Sequence, residues 1–370
     1  MRLKLLVDAI SLLSPLTGIG KYTYEVSKIL EKDEELELKY FYGYHSSKLV
    51  NPDSHKSMKS LKSLITRYPA IKRLTRELLT ASRKLDYFKK YEIYWQPNFI
   101  PNRGIKAKKV VTTVHDFSFW LYRDFHPKEK VDYFDREFLK GVERSDFLIT
   151  GSEFTKGEIL ERLSFPEDRV KVIYHGVDHQ RFRIYEDNSL DFIVPEKFIL
   201  SVGSIEPRKN LISLLKAYSS LDETIKDEYR LLLVGFRGWN NQEILELIEK
   251  NREYVEYLGF ISTTDLAKLY NLATCFVYPS FYEGFGLPVL EAMASGSAVL
   301  SSEASSLREV GGDAVLYCNP DSIDDIREKL QTLLQNETLR ESLKRKATER
   351  AKKFSWENSA KEHLELFKSL

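Results

Sequence analysis

The chain has 370 residues, more than one hydrophobic core usually organises, so two domains are expected. Its 42% apolar share is that of a globular protein, and a net charge of +1 argues against nucleic acid as a partner. Cys275 and Cys318 are the only cysteines and form no CxxC, which argues against a disulfide framework or a zinc site and fits a reducing, cytoplasmic setting.

The first residues carry too short an apolar run for a signal peptide, and no stretch is long enough to span a bilayer. In chain order, residues 3–7, 110–114, 147–150 and 170–173 read as buried strands of the first half. Residues 198–202, 231–234, 255–258, 275–278 and 298–301 read the same way in the second. Unalternating runs of Leu, Val and Ile suit parallel strands covered on both faces. Helical patterns at 211–219, 242–250, 264–272 and 288–294 complete a βαβ punctuation that appears twice. No internal repeat is visible. The polar stretch up to Glu196, before which Pro195 stands, separates the halves.

Ligands of doubly wound sheets bind outside the strands' carboxyl ends, so the residues after each strand matter most. After the first strand comes SPLTGIGKY, residues 14–22, which runs into an amphipathic helix. Gly18 and Gly20 let backbone N–H groups approach an anion at a helix N-terminus, or form an ordinary glycine-rich turn. The pattern is neither GxGxxG nor a Walker motif, so no dinucleotide or P-loop reading follows. After residues 110–114 comes His115-Asp116. A histidine just past a buried strand faces the crevice and exchanges hydrogen bonds near neutral pH, unless it only caps the sheet edge. His175, ahead of Gly176-Val177-Asp178, has the next best position, with a packed turn as its plainer role.

After residues 198–202, Gly203-Ser204-Ile205-Glu206-Pro207-Arg208-Lys209-Asn210 leads into a helix. A helix N-terminus disfavours cations, so Arg208 and Lys209 imply an anion such as a diphosphate rather than a solvated basic turn. Residues 278–296 read YPSFYEGFGLPVLEAMASG. Glu283 lies in the loop, Gly284 and Gly286 free the backbone to approach a ligand, and Pro288 suits a first helical turn. Glu291 follows about a turn later. A carboxylate there can hold two vicinal hydroxyls, as on a ribose, and apolar Leu290, Ala292 and Met293 argue against a merely solvated helix face.

Residues 46–90 hold twelve Lys or Arg and three acids, Asp53, Glu77 and Asp86, interleaved with leucines. A basic amphipathic stretch in a neutral protein reads as a surface for anionic lipid, placing the protein peripherally on the inner face of the cytoplasmic membrane. The alternative is a solvated helical hairpin whose leucines pack on the first domain.

Taken in order, these blocks resemble the retaining GT-B glycosyltransferases, and glycosyltransferase family four in particular. The E-x7-E pair Glu283 and Glu291 within FYEGFGLPVLEAMASG carries most of the likeness. GIGKY at 18–22, VHD at 114–116, GSEFTK at 151–156, HGVD at 175–178 and GSIEPRKN at 203–210 stand in the matching order. LVGFRGW at 233–239, YLGF at 257–260 and SSLREVGGDAVLY at 305–317 extend it over nearly the whole chain. Each motif is short; the ordered set is specific.

The resemblance implies an α/β GT-B fold of two Rossmann-like doubly wound domains facing across a cleft. Residues 1–180 would form the acceptor-side domain, 181–196 a linker and 197–355 the nucleotide-sugar domain, with a helix at 356–370 packing back on the first. It implies Arg208 and Lys209 on the donor's diphosphate with Gly18 and Gly20 closing over it. Glu291 would hold the ribose, Glu283 the transferred sugar, and His115 would reach that sugar from the first domain. Tyr257 and Leu258 would place the base against the backbone, and Ser204, Gly284, Phe285, Gly286 and Leu287 would complete the donor pocket. Ser204 stands where many relatives carry arginine, so Arg208 is expected to supply that charge.

Retention of configuration without a metal or cofactor is implied as well, the nucleotide sugar being the donor substrate. EPRKN, FRGW and VHD look most like bacterial transferases that build surface polysaccharides, often mannosyltransferases. GDP-mannose is therefore the expected donor and a glycan or lipid-linked saccharide the expected acceptor. A UDP- or dTDP-sugar donor, a non-catalytic nucleotide-sugar-binding protein, and a phosphorylase or epimerase of related architecture are the rival readings.

Overall fold

The computed structural model describes residues 2–13, 17–51 and 91–370. From residue 52 on, the basic stretch read at 46–90 lies outside the described residues. Two parallel sheets organise the rest. The first has the order β3-β2-β1-β4-β5-β6-β7 and joins β1 (Leu3–Asp8), β2 (Leu36–Phe41), β3 (His45–Ser46), β4 (Tyr91–Gln96), β5 (Ala107–Thr113), β6 (Phe147–Thr150) and β7 (Val170–Val172). Its β2–β3 pair is antiparallel and the others are parallel. The second, all parallel, has the order β10-β9-β8-β11-β12-β13. It joins β8 (Phe198–Val202), β9 (Arg230–Val234), β10 (Val255–Gly259), β11 (Cys275–Tyr278), β12 (Val299–Ser302) and β13 (Leu316–Cys318).

Both faces of each sheet are covered, which is why the strand sequences are apolar without alternation. On β8, Ile199 packs with Leu214, Leu231 and Leu333, while Phe198 and Leu200 pack with Phe276, Val289 and Met293 on the opposite face. Strands β2 and β4 carry weaker sequence signals. LELKYF alternates and buries only Leu36, Tyr40 and Phe41; YEIYWQ is aromatic rather than aliphatic. Strand β5 starts three residues before the predicted apolar run because its charged end is held by neighbours, Lys108 by Glu92 and Lys109 by Asp146, each at 3.2 Å.

The chain passes between the two sheets twice, at one place. Val177 forms a β-bridge to Ser355, and a Cβ on Gly176 would collide with the backbone of Ser355 and Trp356. Residues 181–196 hold no helix or strand; Tyr185, Leu190, Phe192 and Val194 pack on the second domain's core. After the second crossing, the helix Trp356–Ser369 starts at an N-cap, Ser355, whose hydroxyl accepts the Asn358 N–H. Its Trp356, Ala360, Leu366 and Phe367 complete the first domain's core beside Leu5, Tyr22 and Trp95, and His363 Nε2 lies 2.6 Å from the Tyr22 hydroxyl. Among the described residues, no helix is long and apolar enough to cross a membrane.

Candidate active site

The loops after β8 and β11 are laced together. The Phe281 N–H donates to the Arg208 carbonyl at 3.0 Å, and the Ser280 hydroxyl oxygen lies 3.0 Å from the same carbonyl. Asn210, in the left-handed region at φ 57°, anchors the turn by donating its side-chain amide to the Pro279 and Pro320 carbonyls. Pro207–Lys209 form a single 3-10 turn, so both cations leave the end of the sheet side by side.

Glu283 lies between them. Its Oε1 accepts from Lys209 Nζ at 2.6 Å, Ser280 Oγ at 2.7 Å and the Tyr278 hydroxyl at 2.8 Å. Its Oε2 faces Arg208 Nη1 at 2.8 Å, and Arg208 Nη2 reaches Glu206 at 3.1 Å. Burial alone would raise the Glu283 carboxyl, but Arg208 and Lys209 outweigh it and hold the group at about 2. Burial also opposes the Arg208 charge; Glu283, Glu206 and Asp116 reverse that and keep it above the ordinary arginine range. Lys209 falls below its usual range through burial first and the neighbouring Arg208 second. Two cations and two carboxylates thus form a neutral, desolvated cluster. The Glu283 carboxylate is directed onto the cations rather than standing open in the loop.

Glu291 is buried on the helix Leu287–Ala294, as its apolar neighbours required. Its Oε1 pairs with Lys21 of the first domain, and its Oε2 takes the Tyr270 hydroxyl at 3.4 Å. Lys21 lies on the helix Gly18–Leu30, where Gly18 and Gly20 occupy the first turn rather than a loop ahead of it; Thr17 caps that turn. Leu287, at the start of the facing helix, stands opposite Gly18.

The first domain presents His115 from the end of β5. Its Nε2 lies 2.7 Å from the Pro97 carbonyl, so that nitrogen donates and Nδ1 is the acceptor. Burial lowers the imidazole, only partly offset by the Pro97 contact, so the ring is neutral at pH 7. His175 lies 5.6 Å away, ring to ring, and packs on Phe285 at 4.9 Å. Its plainer role holds: it is packed, with its imidazole held well below the usual range by burial and by His115.

The domains touch closely here. A Cβ on Gly284 would run into the His115 carbonyl oxygen, so this position has room only for glycine. Ser152 Oγ donates to the Gly284 carbonyl at 2.8 Å. Glu309 of the second domain accepts the Glu153 and Phe154 N–H groups at the start of the helix Glu153–Arg162, at 2.7 and 3.1 Å. Tyr282 reaches over to bond Glu158 and accept the Phe117 N–H.

Of the other predicted residues, Ser204 lines a small pocket with Gly203, Lys209 and Tyr278. The Tyr257 hydroxyl donates to the Gly235 carbonyl, 2.8 Å away, and Leu258 packs on the core; both side chains are half-buried. Phe285 is likewise a core side chain, and Gly286 at φ 100° turns the chain into the helix Leu287–Ala294. Sequence reasoning did not single out Lys21, Glu206, Tyr278 or Ser280. Their signal was position alone: Lys21 adjoins Gly20, Glu206 stands two residues before Arg208, and Ser280 and Tyr278 stand three and five before Glu283.

Doubly wound sheets whose ligand-side loops face each other across one cleft define the GT-B class of glycosyltransferases. Comparison with known proteins specifies the family. Residues 18–181 match the family described as Glycosyltransferase Family 4, and residues 185–350 match Glycosyl transferases group 1. Escherichia coli O-antigen chain mannosyltransferase B is 34% identical over 96% of this chain and 97% of its own length. A serotype-specific mannosyltransferase of the same organism, WbdA, is 34% identical over 71% of this chain and 34% of its own length. The fold is shared with sucrose-phosphate synthase from Thermosynechococcus elongatus, at TM-score 0.73 and 18% identity over 100% of this chain and 99% of that one. It is also shared with WaaG, a glycosyltransferase involved in lipopolysaccharide biosynthesis, at TM-score 0.65 and 15% identity over 99% of both chains. The chain belongs to glycosyltransferase family 4 and is a glycosyltransferase.

Proposed function

We propose that this enzyme moves mannose from GDP-mannose onto a glycan or lipid-linked saccharide in surface-polysaccharide synthesis, with retention of configuration and without a metal. The chemistry rests on the Arg208–Lys209–Glu283 cluster, and the choice of mannose on the full-length likeness to an O-antigen mannosyltransferase.

An incoming diphosphate would replace Glu283 as the counter-ion of Arg208 and Lys209. That exchange frees the Glu283 oxygens to accept sugar hydroxyls, so diphosphate capture and sugar orientation become one event. As the bond from the anomeric carbon to phosphate oxygen breaks, charge grows on the phosphate. Fixed cations in a desolvated site stabilise it, each well-placed donor contributing about 3 kcal/mol. The acceptor hydroxyl attacks from the same face, and the departing phosphate oxygen takes its proton, so no separate base is needed. His115, neutral, would accept a sugar hydroxyl on Nδ1. Glu291 would take the ribose once Lys21 gives way.

The test is turnover of GDP-mannose against UDP-glucose, UDP-galactose and a dTDP-hexose, with octyl α-mannoside as acceptor and the product's anomeric configuration read by NMR. GDP-mannose is expected to be preferred, with an α product and rates unaffected by EDTA. Preference for another nucleotide, or loss of activity with EDTA restored by magnesium, would reject the reading. Docking of the 46–90 stretch on anionic membrane is part of the proposal, through charge attraction of about 1 kcal/mol per cation. Sedimentation with anionic and neutral liposomes at low and high salt tests it.

A further inference from the structure

On the first-domain side of the cleft, Asp116, Ser118 and His126 form a hydrogen-bonded chain. Asp116 Oδ1 accepts the Ser118 N–H at 2.9 Å and the Ser118 hydroxyl at 2.8 Å. With its proton given to Asp116, the Ser118 oxygen can only accept, so His126, 3.0 Å away, donates from Nε2. That fixes the tautomer and leaves the lone pair on Nδ1. His126 is only 6% exposed, and Nδ1 is buried with no hydrogen-bond partner among the described residues. Buried polar atoms are normally paired, so this nitrogen calls for a donor, a water or a ligand group, to complete it.

The surroundings are those of the transfer site. The charges acting on His126 are Lys130, Asp116, Arg208 and Glu206. Trp239 of the second domain lies over it with ring centres 5.9 Å apart, but its Nε1 is spent on the Phe125 carbonyl at 2.5 Å. Burial, with Lys130 adding to it, lowers the imidazole to about 4, so it is uncharged at pH 7. A neutral acceptor is no partner for a phosphate oxygen. It suits an O–H donor, and in a sugar-transfer site that is a sugar hydroxyl.

We propose that His126 is a substrate-binding residue whose Nδ1 takes the hydrogen of a sugar hydroxyl, with Ser118 and Asp116 as positioning residues that hold this tautomer. The inference rests on the mannosyl-transfer reading above. The hydroxyl belongs to the transferred mannose or to the acceptor, and the two arms of the test separate these.

Initial rates are measured with GDP-mannose and octyl α-mannoside, each varied in turn. His126→Phe keeps the ring and removes the acceptor atom; the KM of one substrate is expected to rise about tenfold or more. His126→Asn returns an acceptor near Nδ1 and should recover most of that loss. A rise confined to GDP-mannose assigns the hydroxyl to the donor sugar, and one confined to octyl mannoside assigns it to the acceptor. A substrate deoxygenated at the contacted position should lose affinity for the wild type and lose no more for His126→Phe. Unchanged KM values in a folded His126→Phe overturn the proposal and leave only water on Nδ1; so does an equal loss in the Phe and Asn variants. If the Phe variant does not fold, Ser118→Ala carries the test: the same KM must rise, and unmoved values reject the proposal. Failure of the wild type to turn over GDP-mannose rejects the reading itself, and this inference with it.

Discussion

The ammonium of Lys21, from the first domain, occupies the carboxylate of Glu291, from the second, while the Phe182 ring lies 4.4 Å beneath it. Both oxygens of Glu291 are engaged, one by Lys21 and the other by Tyr270. A ribose can use this carboxylate only by displacing the ammonium.

Lys21→Met is therefore expected to tighten GDP binding by roughly three- to tenfold, because the nucleotide no longer competes for Glu291. Glu291→Gln should weaken it by about tenfold or more with the fold retained. Calorimetric titration with GDP reads both. Equal affinity in the wild type and both variants would remove the ribose assignment.

Arg208→Ala and Lys209→Ala should each lower kcat by about 100-fold, the usual effect of losing one fixed donor to a developing anion. Steady-state rates with GDP-mannose decide. Wild-type rates in both variants would mean that the diphosphate binds elsewhere.

The acid limb of stability should carry the mark of Glu283. Its carboxyl is held at about 2 in the fold, below the ordinary value near 4.3 of an unfolded chain. A depressed acid stabilises fully above its unfolded value and loses that contribution as pH falls toward its folded value. Glu283→Gln should cost about 3 kcal/mol at pH 7, because it leaves buried cations underpaired. It should also flatten the fall in stability between pH 4.5 and 2. Urea melts across that range test this; parallel pH curves for both proteins would contradict it.

Gly284→Ala places a methyl group against the His115 carbonyl oxygen. The contact is between domains, so each core should keep its stability while the cleft is wedged apart. Turnover is expected to fall on the order of 100-fold, as misplacement of about 1 Å typically causes. Small-angle scattering should show a larger radius of gyration. A fully active variant of unchanged dimensions would refute the close approach.

The second domain was the more legible half. The strands predicted in both halves appear, because aliphatic runs covered on both faces announce themselves, but the first domain holds three that were not predicted, β2, β3 and β4, against one, β13, in the second. Strands β2 and β4 escaped because alternation and aromatic content disguise them. That Arg208 and Lys209 stand beside an anion could be read from residue type and helix polarity. The direction of Glu283, turned onto its cations, could not, since a carboxylate in a loop says nothing of where it points. Lys21 and Glu291 stand 270 positions apart, and only the assembled domains bring them together. His126 was invisible for another reason: its interest lies in one unpaired nitrogen, which exists only once Ser118 has claimed the other.

The helix Trp356–Ser369 bears on the order of synthesis. It supplies Trp356, Ala360, Leu366 and Phe367 to a core whose other members begin at Leu5. The second domain closes its own two cores with residues up to Phe354 and needs nothing from this helix. On the ribosome, the half translated first is therefore the half completed last. Until residue 369 has emerged, Leu5, Tyr22 and Trp95 lack their cover, and the nascent first domain waits partly open.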